Sequence, residues 1–479
     1  MKIKIFILSA IACLATTSCS DWLDVQPSSQ KDREDLVKTD EGYKQMLYGT
    51  YINLVSTDLY GHNLTYGLLE GIARNYCKNP VTNYDYKNTS VRGTIDAIWD
   101  KMYNNIANVN SILKDIEDNK SVFSKGEREL IEGEAYAMRA YMHFDLMRMF
   151  APAYSLGSDA TAIPYVETYE RVRYPHLSEK EVVEKVLADL DRAESFLTQA
   201  GDPLISGPQT ITYSGKGDLT ANRQYRFNYW AVQALRARVY MYIGDEENAM
   251  KYADMVIEKG PFSWVKESDI ASGGDKIFLP EMICGLDVPD LPNYYESYFK
   301  SESYSLSDGW GNYGLNVFED ANDYRYLYLL TNDKKNNKVI SCKYNQDVKS
   351  SGTMKKQTIP LIRLGEMYLI SAECNKVKNP QKTVALLREL KLHRGYLSED
   401  KGIADNATAD ELQQYIAKEM RKETYAEGQM WFYYKRLNSP TTPDFNPWMS
   451  TATTQMKTSY YTFPLPEAEK EYGNIPSSK

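Results

Sequence analysis

The sequence predicts a mainly α protein, with helical pairs as the scaffold and one irregular, loop-rich lobe set into it. Three observations carry this expectation. Apolar residues recur at helical spacing through most of the chain. Ser, Thr and Asp stand where helices should start, and Gly or Pro where they should stop. From about 261 to 359 the helical period fades, Gly, Pro, Asn, Asp and Ser break up the chain, and Trp and Tyr crowd together. An irregular stretch of that length is functional or disordered, and its aromatic content argues against disorder.

At the N-terminus, Met1-Lys2-Ile3-Lys4 precedes an apolar run, Ile5 to Ala15, and then Thr16-Thr17-Ser18-Cys19. A basic start, a short apolar run and small residues before a cysteine read as a cleaved leader, 1–18, with Cys19 as a lipid-attachment residue. The run falls short of the roughly 20 residues a membrane-spanning helix needs. Diacylglycerol on the Cys19 sulfur plus an N-acyl chain would give the two-chain anchoring that holds a protein stably at a bilayer. Cutting before Cys13 instead would leave an apolar region of only about seven residues. After Cys19 no run is long and apolar enough to span a bilayer.

Thr39 or Asp40 caps a first predicted helix ending near Leu54. Ile95, Ile98, Met102, Ile106, Val109, Ile112, Leu113 and Ile116 form one face of a second. Ser124 with Glu127 makes a capping-box pattern before a helix from Gly126 to Phe150, stopped by Pro152. Ser178 to Leu197 follows, then Asn228–Tyr242, Glu246–Glu258, Leu361–Asn375, Gln381–His393 and Ala409–Glu427. Ala237, Tyr240, Gly244, Ala249 and Pro261 fall at the small, aromatic, Gly, Ala and Pro positions of a tetratricopeptide repeat. The alanines permit close helix approach, Gly244 turns the chain and Pro261 ends the second helix. Helical pairs of this kind bury their apolar faces only by stacking on neighbours. The predicted fold is therefore a tetratricopeptide-like α-superhelix carrying the irregular lobe.

The net charge of −9, more acidic still once Lys2 and Lys4 leave with the leader, argues against nucleic acid as a partner. H-E-x-x-H, G-x-S-x-G, P-loop and G-x-G-x-x-G patterns are all absent, so no catalytic residue and no cofactor is expected. The four histidines, His62, His143, His176 and His393, are isolated, and Cys77, Cys284, Cys342 and Cys374 are scattered, so no metal site is expected. Cys374 lies on an apolar helical face and reads as buried. Glu423 and Glu427, four apart near Arg421, have the chemistry of a glycosidase pair, but an ion-pair network holding helix ends is the preferred reading. Glu366 and Glu373 get the same reading, with Arg363 and Arg388 as candidate partners.

Five segments in order resemble the SusD/RagB family of nutrient-binding outer-membrane lipoproteins of Bacteroidetes. They are Cys19-Ser20-Asp21-Trp22-Leu23-Asp24-Val25-Gln26-Pro27, Glu134–Phe144, Leu361–Glu373, Arg421–Gln429 with Lys435-Arg436, and Phe463-Pro464-Leu465-Pro466 with Glu469 and Asn474. The resemblance implies a single domain from 39 to 479 after a lipid-anchored segment, 19–38, with a ligand lobe near 261–359 and the closing family signature at 360–479. It also implies a partner, a SusC-like TonB-dependent outer-membrane barrel, and a glycan or peptide ligand captured without catalysis. A surface glycoside hydrolase and a purely structural helical-repeat protein are the competing readings. Met420-Arg421 and the run Trp431 to Arg436 depart from the family pattern and mark a subgroup.

The family's motifs are structural, so the ligand candidates come from the lobe itself. There are 39 Tyr against 13 Phe in the chain. Tyr and Trp offer flat apolar faces to sugar C–H groups, with polar side chains to bond the hydroxyls. The expected platform is Trp310, Tyr294, Tyr295, Tyr298, Tyr304 and Tyr313, with Asn312, Asp323 and Arg325 as polar partners. A smaller Tyr-, Asn- and Gly-rich stretch runs from Tyr60 to Tyr86.

Overall fold

Each scaffold helix starts where a side chain can satisfy its first free N–H groups. In the computed structural model, which describes residues 33–76, 81, 84–211, 218–272, 274–300, 304–306, 317–333, 338–345, 357–443 and 453–476, α1 spans Asp40–Leu54 with Thr39 accepting from the Gly42 N–H. Helix α2 (Thr89–Leu113) begins earlier than its apolar face indicates, because Asn88 accepts from the N–H groups of Ser90 and Val91. Helix α3 (Glu127–Phe150) is entered through Gly126 at φ +85°, and only half the expected capping box forms, with Glu127 accepting from the Ser124 N–H. Helix α4 (Glu179–Ala200) has both halves, Ser178 with Glu181, and stops at left-handed Gly201. Between β1 (Thr161–Pro164) and β2 (His176–Ser178) a small antiparallel pair leads into α4.

Helices α5 (Tyr229–Ile243) and α6 (Glu246–Lys259) form the pair with the repeat pattern. Gly244 turns the chain at φ +82°, and Ala237 and Ala249 are fully buried where the helices meet. Helix α7 (Leu364–Asn375), α8 (Pro380–Leu392), α9 (Ala409–Glu423) and the short α10 (Met430–Arg436) complete the scaffold. Helix α1 packs on α2, α2 on α3, α3 on α4, α4 on α5, α5 on α6, α6 on α7, and α7 on both α8 and α9. In α3 and α7 most residues are buried on every side, as expected for helices inside a stack. No described helix is long and apolar enough to cross a membrane.

Strand β3 (Met282–Asp287) pairs antiparallel with β6 (Thr358–Arg363), and a hairpin of β4 (Leu330–Asp333) and β5 (Lys338–Ser341) lies between them in sequence. Leu361–Arg363, expected as the first turn of a helix, is instead the end of β6, and α7 begins at Leu364. A short apolar run fits a buried strand as well as a buried helix, and pairing with β3 decides for the strand. Pro360 is tolerated because each strand of a two-stranded sheet has a free edge. Helix α9 likewise stops at Glu423 rather than Glu427, where the chain turns through Gly428 at φ +72°.

A buried ion-pair network joins lobe to scaffold. Glu423, the last residue of α9, accepts from Arg394 (2.6 Å), Arg325 (2.7 Å) and Arg363 (3.0 Å). Around it, Glu281 pairs with Arg394 (2.6 Å), Asp323 and Glu419 with Arg325 (2.6 and 2.9 Å), and Glu427 with Arg363 (2.7 Å) and Lys343 (2.6 Å). All of these side chains are buried. A Cβ on Gly365 would fall 2.5 Å from a Glu423 oxygen, so the carboxylate rests on the first turn of α7, where the helix dipole favours negative charge. The expected network thus exists around Glu423 and Glu427, but the partners of the other two carboxylates differ. Glu366 pairs with Arg238 (2.6 Å) and Glu373 with Arg436 (2.8 Å), while Arg363 serves Glu423 and Glu427 and Arg388 pairs with Asp405 (2.7 Å).

Burial alone would raise the Glu423 carboxyl, but Arg394, Arg363 and Arg325 outweigh it and hold it well below the usual range. For Glu419, burial is outweighed by Lys422, Arg325 and Lys391, giving a pKa of about 2. Both carboxylates therefore stabilise the fold above about pH 4.5, and that contribution is lost as pH falls toward 2. Glu423→Gln leaves three buried guanidiniums short of counter-charge and is expected to cost about 3–5 kcal/mol, read as a lowered denaturation midpoint at pH 7. A midpoint within experimental error of the unsubstituted protein would contradict the network's role.

Candidate functional site

The Tyr-rich stretch near the N-terminal end of the domain and the aromatic lobe meet in space. Leu291–Tyr294 is a helical turn that widens into a π-turn at Tyr295–Phe299. Leu291, Tyr295 and Phe299 face the core, and Tyr294 and Tyr298 stand half-buried on the flank. The chain then returns to Tyr304, whose neighbour Leu306 donates to the Val339 carbonyl of β5 (2.7 Å). Opposite lie His62, Tyr66 and Tyr76, on the turns and the short Leu68–Ile72 helix that follow α1.

Four rings form a near-parallel array. His62 lies 4.1 Å from Tyr298 at 18°, Tyr298 lies 5.5 Å from Tyr304 at 17°, and Tyr304 lies 4.4 Å from Tyr76 at 17°. Buried Tyr66 and Phe299 meet it at tilted or edge-on angles, and buried Tyr344 packs against those two. The Tyr66 hydroxyl donates to the Gly61 carbonyl (2.6 Å), and that of Tyr76, whose ring is 3% exposed and forms the core end of the array, donates to the Tyr66 carbonyl (2.7 Å). His62 Nε2 and the Tyr304 hydroxyl are 2.5 Å apart. Burial lowers His62 to about 4, outweighing a smaller contact from Asn63, and burial raises the Tyr304 phenol. At neutral pH the imidazole is therefore uncharged and shares this hydrogen bond with Tyr304 as a neutral ring. The ring faces cover one another inside the array, and what it presents outward, half-buried His62, Tyr294, Tyr298 and Tyr304, is aromatic and uncharged, which suits an uncharged, hydroxyl-rich ligand.

The C-terminal segment holds this site in place. A Cβ on Gly428 would fall 2.2 Å from the Leu64 carbonyl oxygen, so the two backbones touch where only glycine fits. The Ala426 N–H donates to Glu70 (2.8 Å), Tyr344 donates to the Ala426 carbonyl (2.9 Å), and Arg421 donates to Asn75 (2.9 Å). Burial pushes the Glu70 carboxyl up to about 7.

Of the expected ligand residues, Tyr294, Tyr298 and Tyr304 are brought together at this site. Tyr295 is 2% exposed and packs beneath it, stacked on Phe299, so it belongs to the core. Asp323 and Arg325 are 0% and 1% exposed and sit in the ion-pair network, so neither faces a ligand. Cys19, Trp310, Asn312, Tyr313 and Cys77 lie outside the described residues. His62 and Tyr76 were not among the candidates, although both fall in or beside the Tyr60–Tyr86 stretch that the composition marks.

His143 is packed in α3, stacked on Tyr165 at 3.8 Å and accepting from the Val166 N–H (3.0 Å). Cys284, Cys342 and Cys374 are free and buried. Among the described residues no group of three His, Cys, Asp or Glu side chains is placed to hold a metal ion. Glu423 and Glu427 are buried and paired with arginine and lysine.

Comparison with known proteins gives a consistent picture. A family model described as the SusD family matches residues 179–472, and one described as starch-binding associating with outer membrane matches residues 21–207. A SusD-like protein of Formosa agariphila is 22% identical over 91% of this chain and 92% of its own length. Among solved structures, a SusD-like carbohydrate binding protein from Bacteroides vulgatus superposes with a TM-score of 0.69 at 19% identity, covering 91% of this chain and 97% of that one. A SusD superfamily protein from Bacteroides thetaiotaomicron gives 0.68 at 20% identity, covering 91% and 99%.

In the unfolded chain His62 takes up a proton near pH 6.5, and in the folded array only near pH 4. Its share of stability is thus complete above about pH 6.5 and falls, by at most about 1.4 kcal/mol per pH unit, as pH drops to 4. His62→Phe keeps a ring but removes the titration, so its midpoint should fall less steeply over that window than that of the unsubstituted protein. Equal slopes would mean that His62 titrates normally.

Proposed function

The chain belongs to the SusD family, and on that premise we propose that it is a non-catalytic nutrient-binding lipoprotein of the bacterial outer membrane. In this reading it is tethered through acylated Cys19 and faces outward. It captures glycan oligomers and passes them to a SusC-like TonB-dependent barrel. Holding an oligomer beside the pore raises its effective concentration there without any bond being cleaved.

The observation that carries the glycan assignment is the half-buried aromatic surface of His62, Tyr294, Tyr298 and Tyr304, backed by core Tyr76. Pyranose C–H faces stack on exposed aromatic surface, and a phenol such as that of half-buried Tyr294 can bond an equatorial hydroxyl. No charged side chain contributes to the His62 shift, in keeping with a neutral ligand. Trp310, Tyr313 and Asn312, a few residues beyond Tyr304, complete the proposed platform.

Calorimetry with the purified protein against polysaccharides, oligosaccharides and mixed peptides tests this reading. Saturable heat from at least one neutral oligosaccharide is expected, and Tyr294→Ala should weaken it about tenfold, which corresponds to about 1.4 kcal/mol, with little change in denaturation midpoint. Heat from peptides alone would replace the glycan assignment by a peptide one. Release of reducing sugar during the titration would contradict the non-catalytic role.

A further inference from the structure

His176 sits where the β1–β2 hairpin, α2 and the C-terminal segment meet. It opens β2, its side chain is fully buried, and its ring lies 6.2 Å from that of Trp99 on α2 at 17°. Its backbone N–H donates to the Asn474 carbonyl (2.9 Å), and Pro175 forms a strand-like bridge to the same residue.

Both ring nitrogens of His176 face oxygen. Nδ1 lies 2.9 Å from the Ala162 carbonyl of β1, and Nε2 lies 2.8 Å from Oε1 of Glu469, on the short helix Glu467–Tyr472. A carbonyl can only accept, and so can an ionised carboxylate. Each nitrogen must therefore carry a proton for both bonds to form, which makes the ring an imidazolium. His143 gives the contrast: Nδ1 donates to the Arg139 carbonyl and Nε2 accepts from the Val166 N–H, so a neutral ring satisfies both.

The other charged groups around His176 are occupied elsewhere. On α2, Arg92 pairs with Asp96 (2.8 Å) and Glu467 (3.5 Å), Asp100 has Asp96 and Lys101 as its charged neighbours, and burial holds the Tyr103 phenol neutral as it donates to the Pro164 carbonyl (2.8 Å). On α4, Glu179 has Lys435 as its charged neighbour, Lys180 is exposed and Glu181 accepts from Ser178. On the C-terminal helix, Lys470 pairs with Glu467 (2.8 Å) and Glu471 is exposed. Glu469 is thus the charge that answers His176.

The start of the C-terminal segment is fixed without this pair. The Phe463 N–H donates to the Met149 carbonyl (2.9 Å), and Arg92 donates to the Leu465 carbonyl (2.6 Å). Past Leu465, among the described residues, the polar ties to the rest of the chain are Arg92–Glu467, on an exposed carboxylate, and the contacts made by Pro175 and His176. A neutral imidazole has one N–H and must give up one of its two acceptors. The Glu469 side chain, 22% exposed, can turn to water, whereas the Ala162 carbonyl is fixed in β1.

We infer that His176 and Glu469 form a pH-operated latch, in which the protonated ring fastens residues 467–476 onto the β1–β2 hairpin and loss of its proton frees them. Histidine changes charge between about pH 5 and pH 8, so the latch is closed at the acid end of that window and opens toward the alkaline end. The hub carboxylates Glu419 and Glu423 stay ionised throughout that window, so the ion-pair network does not open with the latch.

Amide hydrogen exchange at about pH 5.5 and about pH 8, corrected for the intrinsic rate at each, tests the latch. Residues 467–476 are expected to exchange at least about threefold faster at the higher pH, because a hydrogen bond between charged groups is released, while α5 is unchanged. His176→Phe should make the same segment fast at both pH values. Glu469→Gln can accept from a protonated ring or donate to a neutral one, so it should keep the segment protected at both, and it serves if His176→Phe does not fold. Long-range 1H–15N NMR of histidine-labelled protein, with the His176 signal identified by its shift in Glu469→Gln, should show protons on both ring nitrogens at the lower pH. Equal exchange of residues 467–476 at the two pH values, a single ring proton on His176 at the lower pH, or an unaltered pH dependence in Glu469→Gln would overturn the inference.

Discussion

Three arginines from three different parts of the chain converge on one carboxylate, Glu423, and the rest of the structure is arranged around that meeting. Burying so much charge is costly unless every group is paired. Arg325 comes from the lobe, Arg363 from the strand that enters α7, and Arg394 from the turn after α8. None can move without stranding a charge in the interior. The network therefore fixes relative positions more firmly than apolar contact, which tolerates sliding. It also explains Gly365: any side chain there would displace the central carboxylate.

The ring array is positioned through the same hub. From Glu423 the chain runs to Glu427, which pairs with Lys343 beside Tyr344, and Tyr344 packs on Tyr66 beneath the array. One residue later Gly428 touches the backbone of Leu64, between His62 and Tyr66. On the other side, Glu281 holds Arg394 and leads directly into β3, whose far end carries the Leu291–Phe299 turns. Ionic pairs set the frame, and aromatic rings present the surface.

Local signals were the legible part of this sequence. The Ser178–Glu181 capping box, the Asn228 cap and the Gly244 turn depend on neighbours a few residues away, and each forms where the sequence indicates. Strand β6 was hidden because Thr358–Arg363 pairs with β3, more than seventy residues earlier in the chain. Arg325 looked like a surface polar group because its partners Glu419 and Glu423 lie nearly a hundred residues away, and Asp323 is buried with it as its ion-pair partner. His62 was missed for the same reason, since its ring matters only once Tyr298 stacks on it. The excess of tyrosine has a split meaning. Tyr60, Tyr165 and Tyr396 are core rings with bonded hydroxyls, while Tyr294 and Tyr298 flank the candidate site.

The central claim is that the Glu423 hub positions the aromatic site. Amide hydrogen exchange of Glu423→Gln against the unsubstituted protein, under conditions where both are folded, tests it most directly. The account predicts faster exchange not only around 419–428 but also in 60–76 and 291–299, the two segments that build the ring array. Faster exchange confined to 419–428, with both aromatic segments unchanged, would contradict it.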